Sequence, residues 1–395
     1  MAKINIDEQK IHSILTRGVT EVIEREHLEA ALKSGKKQLR VKLGFDPTGS
    51  QIHIGRAIVL RKLRAFQDLG HKIVFIVGDF TAQIGDPSDK LNKRPMLSPK
   101  DIASNLKNYK AQVGKVLDLK KAEFHFNSKW LKKLNFTKIA QLAESFTVGQ
   151  MLARRNFKER FERGEEISTR EFMYPLMQGY DSVMVRADVE LGGFDQLFNL
   201  TAGRTIQSHY KQNPQDILTT EMLEGTDGRK MSTSWGNVIN ITDEPNDMFG
   251  RVMSLKDELI KRYAWLCTDW TEEEISNLPA NLKEQKLMLA MELVKIYHNE
   301  KLAVSAQTEF ERVFSKGQLP TEVPEVTIED DGLKLYELLV KADLATSNSE
   351  ARRLIEQGAV KLDDTKHTDP GETIAIIDGL LIQVGPRRFV RILTK

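Results

Sequence analysis

Residues 39–78 read LRVKLGFDPTGSQIHIGRAIVLRKLRAFQDLGHKIVFIVG, and the change of period along them decides the fold. Leu39 to Phe45 has the composition of a strand, and 54–69 has helical spacing with Leu60, Leu63, Phe66 and Leu69 inward. Gly70 and His71 then turn the chain into Lys72 to Gly78, a short apolar run of the kind that forms a buried strand. Strand, helix, strand with short connections is a βαβ unit, and it requires a parallel sheet. Working outward, further strands are expected at 122–126, 188–191 and 217–223, with helical stretches at 99–118, 137–163 and 195–209. Residues 5–34 carry apolar residues at helical spacing (Ile11, Ile14, Leu15, Val19, Val22, Ile23) amid abundant charge, which predicts a pair of surface helices. Residues 246–315 read as all-helical. The stretch 315–324 has the Pro and Gly content of a linker, and a compact tail follows.

A chain of 395 residues is long enough for two or three domains. Its 58 Lys and Arg nearly cancel its 56 Asp and Glu, so no global field draws it to nucleic acid or membrane, and any such contact must come from local clustering. The single cysteine, Cys267, excludes an internal disulfide and a cysteine metal cluster and fits a reducing compartment. No apolar run approaches the ~20 residues that a membrane span needs, and the start lacks a signal-peptide core. A soluble, cytoplasmic protein is expected.

In an open α/β sheet, ligands bind beyond the carboxyl ends of the strands, beside helix N-termini whose free N–H groups attract anions. His53 and Gly55 fall at that place. Gly55 lets a flat ring approach the backbone, and Arg56 adds a permanent charge on the face of His53. There is no Gly-x-Gly-x-x-Gly and no P-loop motif, so dinucleotide and P-loop readings lose their main support. Far downstream, 227–237 (DGRKMSTSWGN) packs cations, hydroxyls and glycines into one loop, the make-up of a mobile phosphate clamp. The pair of His53-x-Gly55 and Lys230-Met231-Ser232 resembles the split signature of class I aminoacyl-tRNA synthetases.

Within that class the chain resembles bacterial tyrosyl-tRNA synthetases over nearly its whole length, through Gly44 to Thr48, Ile84 to Ser88, Tyr174 to Asp181 and Gly192 to Gln196. The resemblance implies an α/β fold with a Rossmann-like parallel-sheet catalytic domain, an α-helical domain and a small α+β RNA-binding domain. The expected boundaries are 1–225 for the N-terminal helices and catalytic domain, 226–320 for the phosphate loop and tRNA-contacting helices, 321–332 for the linker and 333–395 for the tail. It also implies that Asp181 accepts the tyrosine phenol and that Asp86, Tyr174 and Gln178 hold its α-ammonium, with Gly44 and Gln196 completing the tyrosine set. Spacing agrees with this, since Tyr174, Gln178 and Asp181 share one helix face. Asp46, His53, Gly55, Gly193, Asp195, Lys230, Met231 and Ser232 are implied around ATP. Thr48, His53, Arg56, Lys90, Arg94 and Lys230 are implied in catalysis, the cations closing on the leaving pyrophosphate. Mg²⁺ is expected to arrive on ATP, with no dedicated metal site and no permanently bound cofactor. L-tyrosine, ATP, tRNA(Tyr) and a second copy of the chain are the implied partners, with helices around 130–152 as the candidate dimer interface.

The tail, 333–395, resembles a small RNA-binding module found in ribosomal proteins and some pseudouridine synthases. Its own charges nearly cancel, so RNA contact depends on two clusters, Arg352 with Arg353 and Arg387 with Arg388. Four positions depart from the family pattern. Arg56 stands where His is usual, Thr233 replaces a Lys, Phe194 replaces a small hydroxyl residue, and Lys42 stands where many members carry a Tyr against the phenol. An ammonium at 42 can donate to the phenol oxygen. Arg56 either replaces the charge missing at Thr233 or points to solvent. Two other functions stay open, a synthetase-like paralogue acting as an RNA-binding or regulatory protein, and a nucleotidyltransferase activating a different acid.

Overall fold

The computed structural model describes residues 4–86, 97–315, 323–385 and 388–394. Two compact units emerge, Met1–Ala303 and Val304–Lys395. The first is built on a six-stranded sheet of β1 (Val19–Ile23), β2 (Arg40–Phe45), β3 (Lys72–Val77), β4 (Ala122–Phe126), β5 (Val189–Gly193) and β6 (Asp216–Thr220), in the spatial order β1-β6-β5-β2-β3-β4. The βαβ unit forms as its sequence predicts. β2 and β3 pair in parallel from Arg40 opposite Lys72 to Phe45 opposite Val77. The connecting helix Ile54–Asp68 buries Leu60, Leu63 and Phe66 against them. After Lys72, β3 is apolar because helices cover both faces of a parallel sheet, and every position from Ile73 to Val77 is buried.

β2 has β3 on one side and β5 on the other. The chain winds away from β2 in both directions, which opens a crevice past the carboxyl ends of β2 and β5. His53 follows one of these ends and Gly192-Gly193 closes the other, so the order of strands brings together residues far apart in sequence.

Three expectations need correction. Residues 5–34 form not two helices alone but a helix Glu8–Thr16, the strand β1 and a helix Arg25–Ser34. β1 pairs antiparallel with β6, making the sheet mixed. Its four β-branched residues (Val19, Thr20, Val22, Ile23) favour a strand, and Gly18 and Glu24 bracket it at φ 59° and 63°. A half-exposed edge strand mixes polar and apolar residues, which is why it mimics a helical stripe. The 137–163 stretch is three short helices, Phe136–Ala143, Val148–Leu152 and Arg155–Glu162, broken by new caps at Thr147 and Arg154. The 99–118 stretch is two, Pro99–Leu106 and Tyr109–Val113.

Beyond 245 the first unit is helical, as expected, and the longest helix of that part is Leu282–Tyr297. The second unit has a five-stranded sheet, ordered β10-β9-β12-β13-β7 from β7 (Glu325–Thr327), β9 (Val360–Leu362), β10 (Thr365–His367), β12 (Leu381–Val384) and β13 (Arg388–Leu393), and a two-stranded one of β8 (Gly332–Lys334) and β11 (Thr373–Ala375). Helices Leu335–Lys341 and Asn348–Glu356 bury Leu335, Leu338, Leu339 and Ile355 in its core. β7 falls in the stretch read as linker and pairs in parallel with β13.

Candidate active site

A cavity of about 510 Å³ opens over the crevice between β2 and β5. Its polar floor is carried by the helix Thr169–Val185, which Ser168 and Glu171 start with a capping box. Asp181 is almost fully buried and accepts from Trp130 Nε1 at 2.6 Å and Asn127 Nδ2 at 3.2 Å. Burial pushes its carboxyl up to about 6, while the Lys42 charge and the two donors hold it from rising further. One turn or two before it, the Tyr174 hydroxyl donates to Asp46 Oδ2 at 2.9 Å, and Thr81 Oγ1 donates to Asp46 Oδ1 at 2.7 Å. Burial pushes Asp46 up to about 7 against these bonds. Gly78 makes the arrangement possible, since a Cβ there would lie 2.0 Å from Asp46 Oδ1. Asp86, in the same cavity, accepts from Gln196 Nε2 at 2.7 Å and has the buried Arg154 guanidinium 3.8 Å away.

Lys42 is fully buried in β2. Its Nζ lies 2.8 Å from Glu190 Oε1 and donates to Ser182 Oγ at 2.7 Å and the Gln178 carbonyl at 2.9 Å. An ammonium has three protons and these partners take all three. The donation to a phenol oxygen expected of Lys42 therefore has no proton in this arrangement.

His53 caps the helix Ile54–Asp68, its Nδ1 accepting from the Arg56 N–H at 3.3 Å. Burial first, and then the Arg56 charge, push the imidazole down to about 3, so it is neutral and its proton sits on Nε2. Arg56 does not point into solvent. It lines the cavity and donates from Nη2 to Thr48 Oγ1 at 3.0 Å.

The second motif lies against the first. Ile54 N donates to Ile239 O at 2.8 Å, and Ile241 N to Ile52 O at 2.9 Å. A Cβ on Gly55 would stand 3.0 Å from Met231 Sδ. Asn237 ties the loop together, accepting from Ser232 N at 2.8 Å and donating to the Lys230 carbonyl at 3.1 Å and Asp227 Oδ1 at 2.9 Å. With Asn237 and Arg229 both donating to it, Asp227 is held well below the usual carboxylate range.

Of the expected site residues, Lys42, Gly44, Asp46, Thr48, His53, Gly55, Arg56, Asp86, Tyr174, Gln178, Asp181, Gly193, Asp195, Gln196, Lys230 and Met231 line this one cavity. Ser232 does not line it, and Lys90 and Arg94 lie outside the described residues. In the second unit, Arg352 stacks 3.8 Å over the Tyr336 ring and Arg388 donates to Leu344 O at 2.7 Å. Arg353 and Arg388 both lower the Glu350 carboxyl, after the larger effect of Thr346. Arg387 lies outside the described residues.

The family described as class I tRNA synthetases (W and Y) matches residues 33–315, and the C-terminal domain of tyrosine–tRNA ligases matches 315–380. The tyrosine–tRNA ligase of Moorella thermoacetica is 46% identical, covering 96% of this chain and 95% of its own. The chain belongs to the tyrosine–tRNA ligase family. The Thermotoga maritima family member is also 46% identical, at 96% coverage of both chains. A solved tyrosyl-tRNA synthetase of Archaeoglobus fulgidus, complexed with L-tyrosine, shares the fold at a TM-score of 0.59 and 23% identity, covering 76% of this chain and 98% of its own.

Motif reading alone missed Gly78, Thr81, Asn127, Trp130, Arg154 and Glu190. Asn127 and Trp130 follow the carboxyl end of β4, and a polar residue just past the end of a parallel strand is the signal that points to them.

Proposed function

We propose that the protein activates L-tyrosine with ATP and transfers it to the terminal ribose of tRNA(Tyr). One observation carries the reading: a single cavity holds a buried carboxylate, Asp181, with its own two donors, and a helix mouth with Arg56 and a cation-bearing loop beside it. The tyrosine phenol donates to Asp181, and its ammonium lies among Asp86, Tyr174 and the Gln178 carboxamide. ATP spans Gly193 and Asp195 with its phosphates toward His53, Arg56 and Lys230. The tyrosine carboxylate attacks the α-phosphorus, an O–P bond forms, and the bond to the β-phosphate oxygen breaks. Positioning and charge stabilisation carry this step, with no covalent enzyme intermediate. Negative charge gathers on the pyrophosphate, where the neutral His53 donates from Nε2 and Arg56, Lys230, Lys90 and Arg94 supply cations. A ribose hydroxyl of the tRNA then attacks the carbonyl of the adenylate and AMP leaves.

Mg²⁺ rides on the triphosphate in this scheme, a hard cation held by phosphate oxygens. The domain reading of 1–225, 226–320 and 333–395 goes with the scheme, the tail using Arg352, Arg353, Arg387 and Arg388 on RNA. A homodimer is proposed on the strength of Phe136 and Val148, 86% and 67% exposed on neighbouring helices. The cytoplasm is its proposed place. Tyrosine-dependent exchange of pyrophosphate into ATP, followed by charging of tRNA(Tyr), tests the function. Absence of exchange would leave the regulatory paralogue as the better reading.

A further inference from the structure

Behind the wall of the cavity lies a polar cluster that the reaction scheme does not use. Lys42 on β2 and Glu190 on β5 face each other as register partners in adjacent parallel strands. Both are fully buried, as are Ser182 and Gln215 beside them. Glu190 is an acceptor only, and four donors converge on it. Lys42 Nζ and Gln178 Nε2, at 2.8 and 3.1 Å, meet Oε1; Ser182 Oγ, at 3.0 Å, and Gln215 Nε2 meet Oε2. The ion pair is a poor source of stability by itself.

Its effect on Gln178 is different. A carboxylate cannot donate, so the Gln178 amide must turn its nitrogen to Glu190, and its oxygen is the group left for the cavity that Gln178 lines. Were Glu190 an apolar residue, the carboxamide could present either end. We propose that Glu190 is a positioning residue that locks Gln178 with its oxygen toward the ligand, and so makes the site select for an α-ammonium. Lys42 serves as the buried counter-ion of Glu190. This rests on the reading above that Gln178 belongs to the ammonium site.

The test measures equilibrium binding of two tyrosine fragments to the full chain. Tyramine keeps the ammonium, and 3-(4-hydroxyphenyl)propanoate lacks it. In Lys42→Met/Glu190→Met both charges go together, which buried pairs tolerate. Tyramine affinity should drop ~10-fold, the scale of a hydrogen bond to a charged group, while the propanoate stays within about twofold of wild type. Glu190→Gln keeps an oxygen for Gln178 Nε2 and should restore most of the tyramine affinity. Should the Met pair not fold, Lys42→Gln/Glu190→Met keeps a donor for Ser182 and asks the same question. Equal weakening of both fragments, or of neither, overturns the role of Glu190. Gln178→Met separates the two levels. If it leaves tyramine binding unchanged, the ammonium reading of Gln178 is itself wrong.

Discussion

On the proposed reading, Asp181 is a buried carboxylate that accepts one further hydrogen bond, from a phenol. With Trp130 and Asn127 already bonded to it, a phenol completes its shell and a bare phenyl ring leaves it short. Asp181→Asn should lower the discrimination between tyrosine and phenylalanine by about 10- to 100-fold, the cost of a mismatched buried polar group, as read from exchange rates with each amino acid. Its pKa gives a second outcome. Burial raises it from the ordinary range near 4 up to about 6, so the charged form fails earlier as pH falls. The KM for tyrosine should rise as pH drops through about 6, with a further contribution from Asp46 near 7, and Asp181→Asn should remove the lower limb. Arg56 invites a cycle. Its place in the cavity beside Thr48 supports compensation for the lysine absent at Thr233, and Arg56→His with Thr233→Lys should recover more exchange activity than the two changes added, by ~0.5–3 kcal/mol of coupling. Additive effects would leave Arg56 a bystander. Such residues were legible because local motifs carry them. Glu190 was not, because its meaning comes from register: two charges at equal depth in two apolar strands make sense only once β2 and β5 are known to be neighbours.

At the scale of elements, β2 to β6 and the helix between β2 and β3 could be placed from period and turn signals within a few residues; β3, β5 and β6 are buried and have no solvent face to blur the pattern. β1 could not, because half of its character comes from β6, its partner far along the chain. The helix Thr169–Val185 shows how an element sets a site. It packs on Leu197–His209 at Gly179, where a Cβ would come within 2.6 Å of Ile206 Cδ1 and 3.1 Å of the Ala202 carbonyl. The neighbouring backbone cannot give way there. Gly179→Ala should therefore cost about 1–3 kcal/mol, the usual penalty for overpacking, seen as a lower melting temperature. Because Gln178 and Asp181 ride on the same helix, the KM for tyrosine should rise with it while that for ATP changes less.

For the molecule as a whole, we propose that the first of the two compact units carries the chemistry of both half-reactions and the second holds the tRNA. Every described residue lining the cavity belongs to the first unit, and the arginine clusters belong to the second. A chain ending at Ser315 should keep tyrosine-dependent exchange and lose most tRNA charging, and charging by the full chain should weaken as salt rises. Equal charging by both would remove the RNA-binding role of the tail. The antiparallel edge strand carries a consequence for biosynthesis. Val19 pairs with Thr220, so the first strand to leave the ribosome waits for the last strand of its sheet, about 10–40 s at ordinary rates of translation. Until then β1 has no partner strand and is open to proteases and to chaperones. Nascent chains arrested short of β6 should be cut within their first thirty or so residues, and chains arrested well past it should resist.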